Sequence, residues 1–384
     1  MIEMTPEEIK EIEEKIERLT ALKNEYKNEE QAVKLTMNSI YGAIGNNYFV
    51  CFNPDVAEAV TLQGQDLIKY SEKILHKYFH EHWHLDTELH EKLGLTQVKR
   101  VTNPLVVYGD TDSNYVTFQE VVDSCDYQGD AKDLIIKVNE YRLNDYLRKC
   151  FDIYSKKWGT ENYQDFELET LAINAIFLGK KKYVANLVYD SGLHMEPLSQ
   201  LKFTGVEMIK GGTPPFVREK LVYLTKHIFT KGRAFDIREF VKELKSIKKE
   251  FKLQEPQNIS ASINVNSYDK ILNDTTGFEV AKACPIHVRA SGYHNYLLNN
   301  SQYKTKYSLI RAGDKINLYF VKTKNLNDSN IFGYPQGTFP YEFAPPLDYD
   351  EQFTKTILDP INRFIEVMGY NQISPNLFMV NALF

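Results

Sequence analysis

Between Pro6 and Gly42 the sequence contains neither glycine nor proline, and no other stretch constrains the fold as much. Thr5-Pro6-Glu7-Glu8 reads as a capping box with proline at the first helical position, where its missing N–H costs nothing. Ile9, Ile12, Ile16, Leu19 and Tyr26 then recur at helical spacing, with charge on the other faces. No breaker separates them from Ala32–Ile44, which predicts one long helix or a helix pair through both segments. A second helical pattern covers roughly 55–84, with 47–54 as the connection.

From Leu105 to Phe118 the periodicity changes. Two short apolar runs flank the polar turn Gly-Asp-Thr-Asp-Ser, a hairpin signature. Helical segments follow over roughly 132–157, then strands at 177–189 and 198–203. Thr213-Pro214-Pro215 marks an expected domain boundary. Beyond it we expect helices including Arg238–Phe251, mixed short strands in a basic region, and a last helix near Phe353–Met368. The fold class is α+β.

Composition excludes little: 43% hydrophobic and 26% charged residues describe an ordinary globular chain. The net charge of −6 argues mildly against a nucleic-acid binder, but the charge is segregated. Lys282, Arg289, Lys304, Lys306, Arg311, Lys315, Lys322 and Lys324 stand against Asp314 alone, while residues 1–30 are strongly acidic. Such a distribution suits one basic surface for phosphate. Cys51, Cys125, Cys150 and Cys284 form no CxxC pair, so neither a disulfide framework nor a zinc ribbon is indicated. No apolar stretch is long enough for a membrane span and no signal-peptide pattern is present, so we expect a reduced, cytoplasmic protein.

Asp110 and Asp112, one residue apart in Tyr108-Gly109-Asp110-Thr111-Asp112-Ser113, are the most informative carboxylates. Such a pair at the tip of apolar strands suits a hard cation such as Mg²⁺, which keeps positions open for substrate phosphates. An ordinary solvated turn has the same residue types, so the pair alone does not decide. On a helix, Lys34, Asn38 and Tyr41 fall at i, i+4 and i+7, giving one face a cation, an amide and an aromatic platform. A nucleoside triphosphate can use all three, though for the stripe taken alone a helix with one solvated lysine and a half-buried tyrosine is the simpler reading. His76, His80 and His84 share a helix face and a metal site there is conceivable, though a solvated helix end is the simpler reading. Lys242, Lys245, Lys248, Lys249 and Lys252 read as a soluble helix face.

Taken together, these motifs resemble family B DNA polymerases. Lys34-Leu35-Thr36-Met37-Asn38-Ser39-Ile40-Tyr41-Gly42 matches the family's fingers-helix motif, and Tyr108–Ser113 matches its metal-binding palm motif letter for letter. Gly179-Lys180-Lys181-Lys182-Tyr183 is similar to the strand that grips primer–template, with Lys182 where arginine is usual. Cys284-Pro285-Ile286-His287-Val288-Arg289 and the aromatic C-terminus extend the resemblance to the T4-like phage replicative polymerases.

The resemblance implies the end of the fingers at 1–48, a palm at 49–213 and a mixed, mainly helical thumb at 214–384. It implies DNA-directed DNA synthesis with two Mg²⁺ ions held through Asp112 and Asp110, and Lys34, Asn38 and Tyr41 at the incoming nucleotide. Lys180, Lys181, Lys182, Tyr183 and Arg289 would contact DNA, and Glu169 is a weaker candidate for a supporting acid, a solvated strand-face acid reading equally well. The family's earlier D-x-x-S-L-Y-P-S motif, whose aspartate completes the two-metal site, has no counterpart here, nor do the exonuclease carboxylates. We therefore expect one half of a split polymerase in an infected bacterial cell, with an N-terminal partner supplying that ligand. Leu377, Phe378, Leu383 and Phe384 in the tail are similar to an aromatic peptide that docks on a sliding clamp. A primer–template and clamp-binding module, or a degenerate copy without activity, is the alternative.

Overall fold

The computed structural model describes residues 5–266, 268, 284–322 and 329–378. The chain forms two compact units, Met1–Glu167 and Leu168–Phe384, each with its own core.

The first unit opens on α1 (Pro6–Ile44), a single 39-residue helix. Its capping box is formed: the Thr5 hydroxyl accepts from Glu8 N, and Thr5 N donates to the Glu8 carboxylate at 2.8 Å. A turn leads into α2 (Pro54–Lys77), which continues through a π-turn (Tyr78–His82) and a 3-10 turn (Trp83–Leu85). Then follow α3 (Thr87–Leu93), the hairpin β1 (Val106–Asp110) and β2 (Ser113–Val116), and α4 (Gln119–Asp123). α5 (Ala131–Val138) and α6 (Asn144–Lys157) are joined by a second π-turn, Asn139–Leu143. Phe79, Trp83, Leu89, Val101, Val121 and Phe151 are fully buried in this unit's core, against which the hairpin's Val106 and Val116 pack. Asp86 joins the helices. It caps α3 through Leu89 N, accepts from Tyr78 Oη at 2.9 Å, and pairs with Arg142 Nε at 2.7 Å.

In the second unit, β3 (Thr170–Gly179) and β4 (Lys182–Asp190) pair antiparallel, and β4 also pairs β5 (Leu193–His194) and β6 (Gln200–Thr204). The stretch 177–189, expected to be one extended run, is thus the centre of a hairpin, and the strand begins earlier, at Thr170. The double proline starts α7 (Pro215–Lys231), which packs with α8 (Ile237–Lys252) and α9 (Pro256–Ile259). β7 (Ala261–Asn264), β8 (Lys315–Phe320) and β9 (Ile331–Pro335) form a three-stranded sheet covered by α10 (Ile286–Asn299). α10 corrects the expectation of mixed short strands at that point. The chain ends in α11 (Tyr349–Phe353), a third π-turn (Thr354–Leu358) and α12 (Asp359–Val367).

The α8 lysines are not uniformly a soluble face. Lys248 is buried, with Nζ 2.6 Å from Asp350, and Lys252 reaches the same carboxylate at 3.0 Å. Together they tie α8 to α11. Among the described residues no helix is long and apolar enough to cross a membrane.

Candidate active site

In the first unit, Asp110 pairs with Ser113 across the hairpin, so Thr111 and Asp112 form a two-residue turn. Thr111 adopts φ 55°, the left-handed conformation that such turns usually give to Asn or Gly. For a β-branched residue this conformation costs about 1–2 kcal/mol. Strain of that kind persists only where surrounding contacts enforce it. Here Asp112 N donates to Asp110 O at 2.6 Å, Ser113 Oγ to the same carbonyl at 3.1 Å, and Thr111 Oγ1 to Asp110 Oδ1 at 3.0 Å. Asp110 is half-buried and Asp112 exposed. A register shift between Val106 and Tyr108 twists β1 as it approaches the turn.

The hairpin is fastened to α2 at two points. Asn114 Nδ2 on β2 donates to Oγ of the fully buried Ser71 at 2.6 Å. Leu105 N and Val106 N both donate to His76 Nε2, at 3.0 and 3.3 Å. His76 also stacks on His80, with ring centroids 5.3 Å apart, and His80 Nε2 lies 3.0 Å from Asn103 O. Burial and the neighbouring His80 push the His76 imidazole below its usual pKa, against the opposing pull of Glu72. The three-histidine face does not form. The π-turn breaks the α periodicity after Lys77, leaving His84 in the 3-10 turn while His76 and His80 serve the hairpin and its approach. Among the described residues no group of three or more His, Cys, Asp or Glu is arranged to hold a metal ion.

Lys34, Asn38 and Tyr41 are all exposed on α1. Lys34 Nζ pairs with Glu30 at 2.6 Å, and this hydrogen bond holds the Glu30 carboxyl below its usual pKa. Both side chains are largely exposed, so the pair contributes little to stability.

In the second unit, Gly179 pairs with Lys182, which puts Lys180 and Lys181 on a tight turn with Lys181 at φ 58°. Lys180, Lys181 and Lys182 are exposed, whereas Tyr183 is buried with its ring 5.4 Å from that of Phe177. Gly205 follows β6 and packs directly beneath the turn; a Cβ there would lie 2.0 Å from the Lys181 carbonyl oxygen. Glu169 is exposed just before β3, its carbonyl accepting from Ser191 N at 2.8 Å. Arg289 lies on α10, its Nε buried without a hydrogen-bond partner among the described residues. Leu377 is exposed in a short 3-10 turn that includes the Phe378 backbone; Leu383 and Phe384 lie outside the described residues.

The Asp110–Asp112 turn fits Mg²⁺ by donor chemistry. It offers two hard carboxylates, one exposed and one half-buried, and Mg²⁺ is commonly held by one or two such groups together with substrate phosphates. Sequence patterns singled out the Asp110–Asp112 turn, the Lys34/Asn38/Tyr41 face and the Lys180–Lys182 run, the last read as a continuous strand where the structure has a turn. They did not reveal Ser71, His76 and Asn114 as anchors. The advance signal was the His76/His80 spacing, which read more simply as a solvated helix end than as a metal site.

This α+β chain, with its carboxylate hairpin, basic hairpin and long capped helix, belongs to DNA polymerase family B, whose family model matches residues 7–368. The chain is similar to the DNA-directed DNA polymerase of Escherichia phage RB69, with 24% identity over 354 residues. It is similar also to that of Enterobacteria phage T4, with 22% identity over 358 residues. These matches cover 86% and 88% of this chain but 36% of each relative, so the chain spans about a third of their length. A DNA polymerase of Choristoneura biennis entomopoxvirus matches 44% of the chain, at 29% identity over 184 residues, which are 18% of that protein.

Proposed function

We propose that this chain carries the catalytic carboxylate hairpin of a DNA-directed DNA polymerase and works together with a separate N-terminal part. The observation that carries this reading is the Tyr108–Ser113 hairpin, with Asp112 on a strained two-residue turn and Asp110 at the strand end beside it, inside a family match that runs nearly end to end. The reaction is addition of a nucleotide to a primer 3′-hydroxyl by in-line attack on the α-phosphate. Asp112 and Asp110 would hold two Mg²⁺ ions, which when bound neutralise charge on the phosphates. Lys34 and Asn38 face the triphosphate and Tyr41 lines the nascent base pair. The exposed lysines 180–182 hold the primer–template backbone by charge, with Tyr183 supporting their turn from beneath and Arg289 contributing from the thumb. Glu169 is a candidate supporting acid. The reading keeps fingers at 1–48, palm at 49–213 and thumb at 214–384, with the tail contacting a sliding clamp.

Two features support an N-terminal partner. A pair of aspartates is a partial ligand set for two metals, and a third carboxylate from another segment completes it. The second is α1, where every residue from Glu7 to Gly42 is exposed. Ile9, Ile12, Ile16, Leu19, Tyr26, Val33, Met37 and Ile40 follow the three-four spacing of a helix-packing seam. Burying each stabilises by roughly 1.5–3 kcal/mol, so an uncovered seam of this length is a strong site for another helix.

Primer extension by this chain, alone and mixed with an N-terminal polymerase part, tests the proposal. Magnesium-dependent synthesis only in the mixture, lost in Asp112→Ala, is the expected result. The exposed lysine turn also suits a binding module without activity of its own. That second reading is favoured if the mixture binds primer–template but synthesises nothing.

A further inference from the structure

Across the first unit, both strands of the carboxylate hairpin are held by side chains of one helix. Asn114, directly across from Gly109 and one residue from Ser113, is fixed by Ser71. Leu105 and Val106, where the chain enters β1, are fixed by His76. Two backbone N–H groups converge on a single nitrogen, so His76 Nε2 must carry its lone pair and the ring proton must sit on Nδ1. This tautomer is forced by geometry. An imidazolium has no acceptor at all, and would leave both amides facing an N–H.

We propose that His76 is a positioning residue for the metal-binding turn. As the unprotonated acceptor at the base of β1, it sets where Asp110 and Asp112 stand, and Ser71 does the same for β2. The inference rests on the polymerase reading for its link to catalysis, but the acceptor role itself does not. The charged and titratable groups around His76 are few. Glu72 lies one turn before it on α2, and His80 stacks one turn after. Arg100 Nε donates to the His80 carbonyl, and Glu120 accepts from Thr102 N and Asn103 N on the segment leading to β1. None of these contacts supplies Leu105 N or Val106 N with another acceptor.

Two arms test the proposal, and the first needs no activity. Nitrogen-15 spectra of the chain with labelled histidine should show His76 Nε2 unprotonated and Nδ1 protonated at neutral pH. Mn²⁺ is the probe for the turn, followed through paramagnetic broadening of the Thr111 and Asp112 amides. His76→Gln, whose Oε1 can accept the same two amides, should bind Mn²⁺ like wild type. His76→Leu should bind about tenfold more weakly, the low end for groups that orient metal ligands. The second arm uses the reconstituted polymerase. Wild-type synthesis should fall away on the acid side as His76 titrates, and His76→Gln should lack that limb. If His76→Leu does not fold, the Nε2 state and the Gln pH profile still decide. A protonated Nε2, or a folded Leu variant with wild-type Mn²⁺ affinity, overturns the proposal. Failure of every reconstituted enzyme to extend primers would sink the polymerase reading while the first arm still judges His76.

Discussion

Gly205→Ala gives the sharpest test of how the second unit holds its lysine turn. Gly205 has φ 62°, where an alanine pays about 1–2 kcal/mol for the left-handed conformation alone. The added Cβ would also stand 2.0 Å from the Lys181 carbonyl oxygen, more than an ångström inside ordinary contact. That carbonyl belongs to a residue itself held at φ 58°, so it cannot swing aside without unmaking the turn. The remaining relief is for β6 to part from β4 at the Tyr183–Thr204 pair, losing one or two ladder hydrogen bonds at about 1 kcal/mol each. The sum is roughly 3 kcal/mol. Gly192→Ala is the control: its φ is 88° but nothing lies within 4 Å of the new Cβ, so only the backbone cost of about 1–2 kcal/mol applies. Urea unfolding of both variants, with probes in the second unit, measures the difference. Equal losses within about 0.5 kcal/mol, the ordinary scatter for surface substitutions, would refute the contact argument.

In the reconstituted polymerase, Asp112→Ala should lower the synthesis rate by about 100-fold or more while primer–template affinity, read by fluorescence anisotropy, stays near wild type. Lys34→Ala should raise the apparent KM for nucleotide, whereas Lys181→Ala should weaken DNA binding and flatten its salt dependence by about one unit of log–log slope. A shared defect in steady-state and binding assays would show that the two roles are not separate. His294 is fully buried, and burial pushes its pKa down to about 4, so the folded chain resists the proton that the unfolded chain accepts near 6.5. The sign is therefore loss of stability as pH falls from about 6.5 to 4, on the order of 3 kcal/mol, and urea midpoints should show that window shrinking in His294→Gln. Deleting residues 377–384 should spare distributive synthesis and remove stimulation by the clamp, as measured by product length with and without it.

Local signals carried far into this fold. The Thr5–Glu8 box and the breaker-free run after it gave α1, and the Asp-Thr-Asp turn between apolar runs gave the hairpin. Other elements lacked a local cue. The β3–β4 turn uses Lys180 and Lys181, with Lys181 in a left-handed conformation that composition does not announce. α10 hid because Val288, Ala290, Ser291, Gly292, Tyr293 and His294 are all buried. A helix covered on every side shows no apolar stripe, and β-branched, glycine and aromatic residues lower its apparent propensity. The anchors His76 and Ser71 were illegible for a different reason. Their partners lie some 29 to 43 residues away, and nothing at α2 itself indicates that a strand will arrive there. The carboxylate turn was legible because its residues are consecutive, whereas its support is tertiary.

The three π-turns, at Tyr78–His82, Asn139–Leu143 and Thr354–Leu358, each lie between helical segments that continue on both sides. A π-turn spends one more residue than an α-turn over a similar rise, so each is in effect an insertion that a helix has absorbed. Such sites keep a record of changes in chain length. Removing one residue at Tyr78–His82 would restore α pairing there and leave Trp83 and the chain after it close to their present orientation, whereas the same deletion in an unbroken α-helix would turn everything after it by about 100° around the axis. His76, which precedes the turn, would keep its place. The segment that carries Ser71 and His76 and the segment from Trp83 onward can thus differ by one residue in length without disturbing each other, with the π-turn as the joint between them.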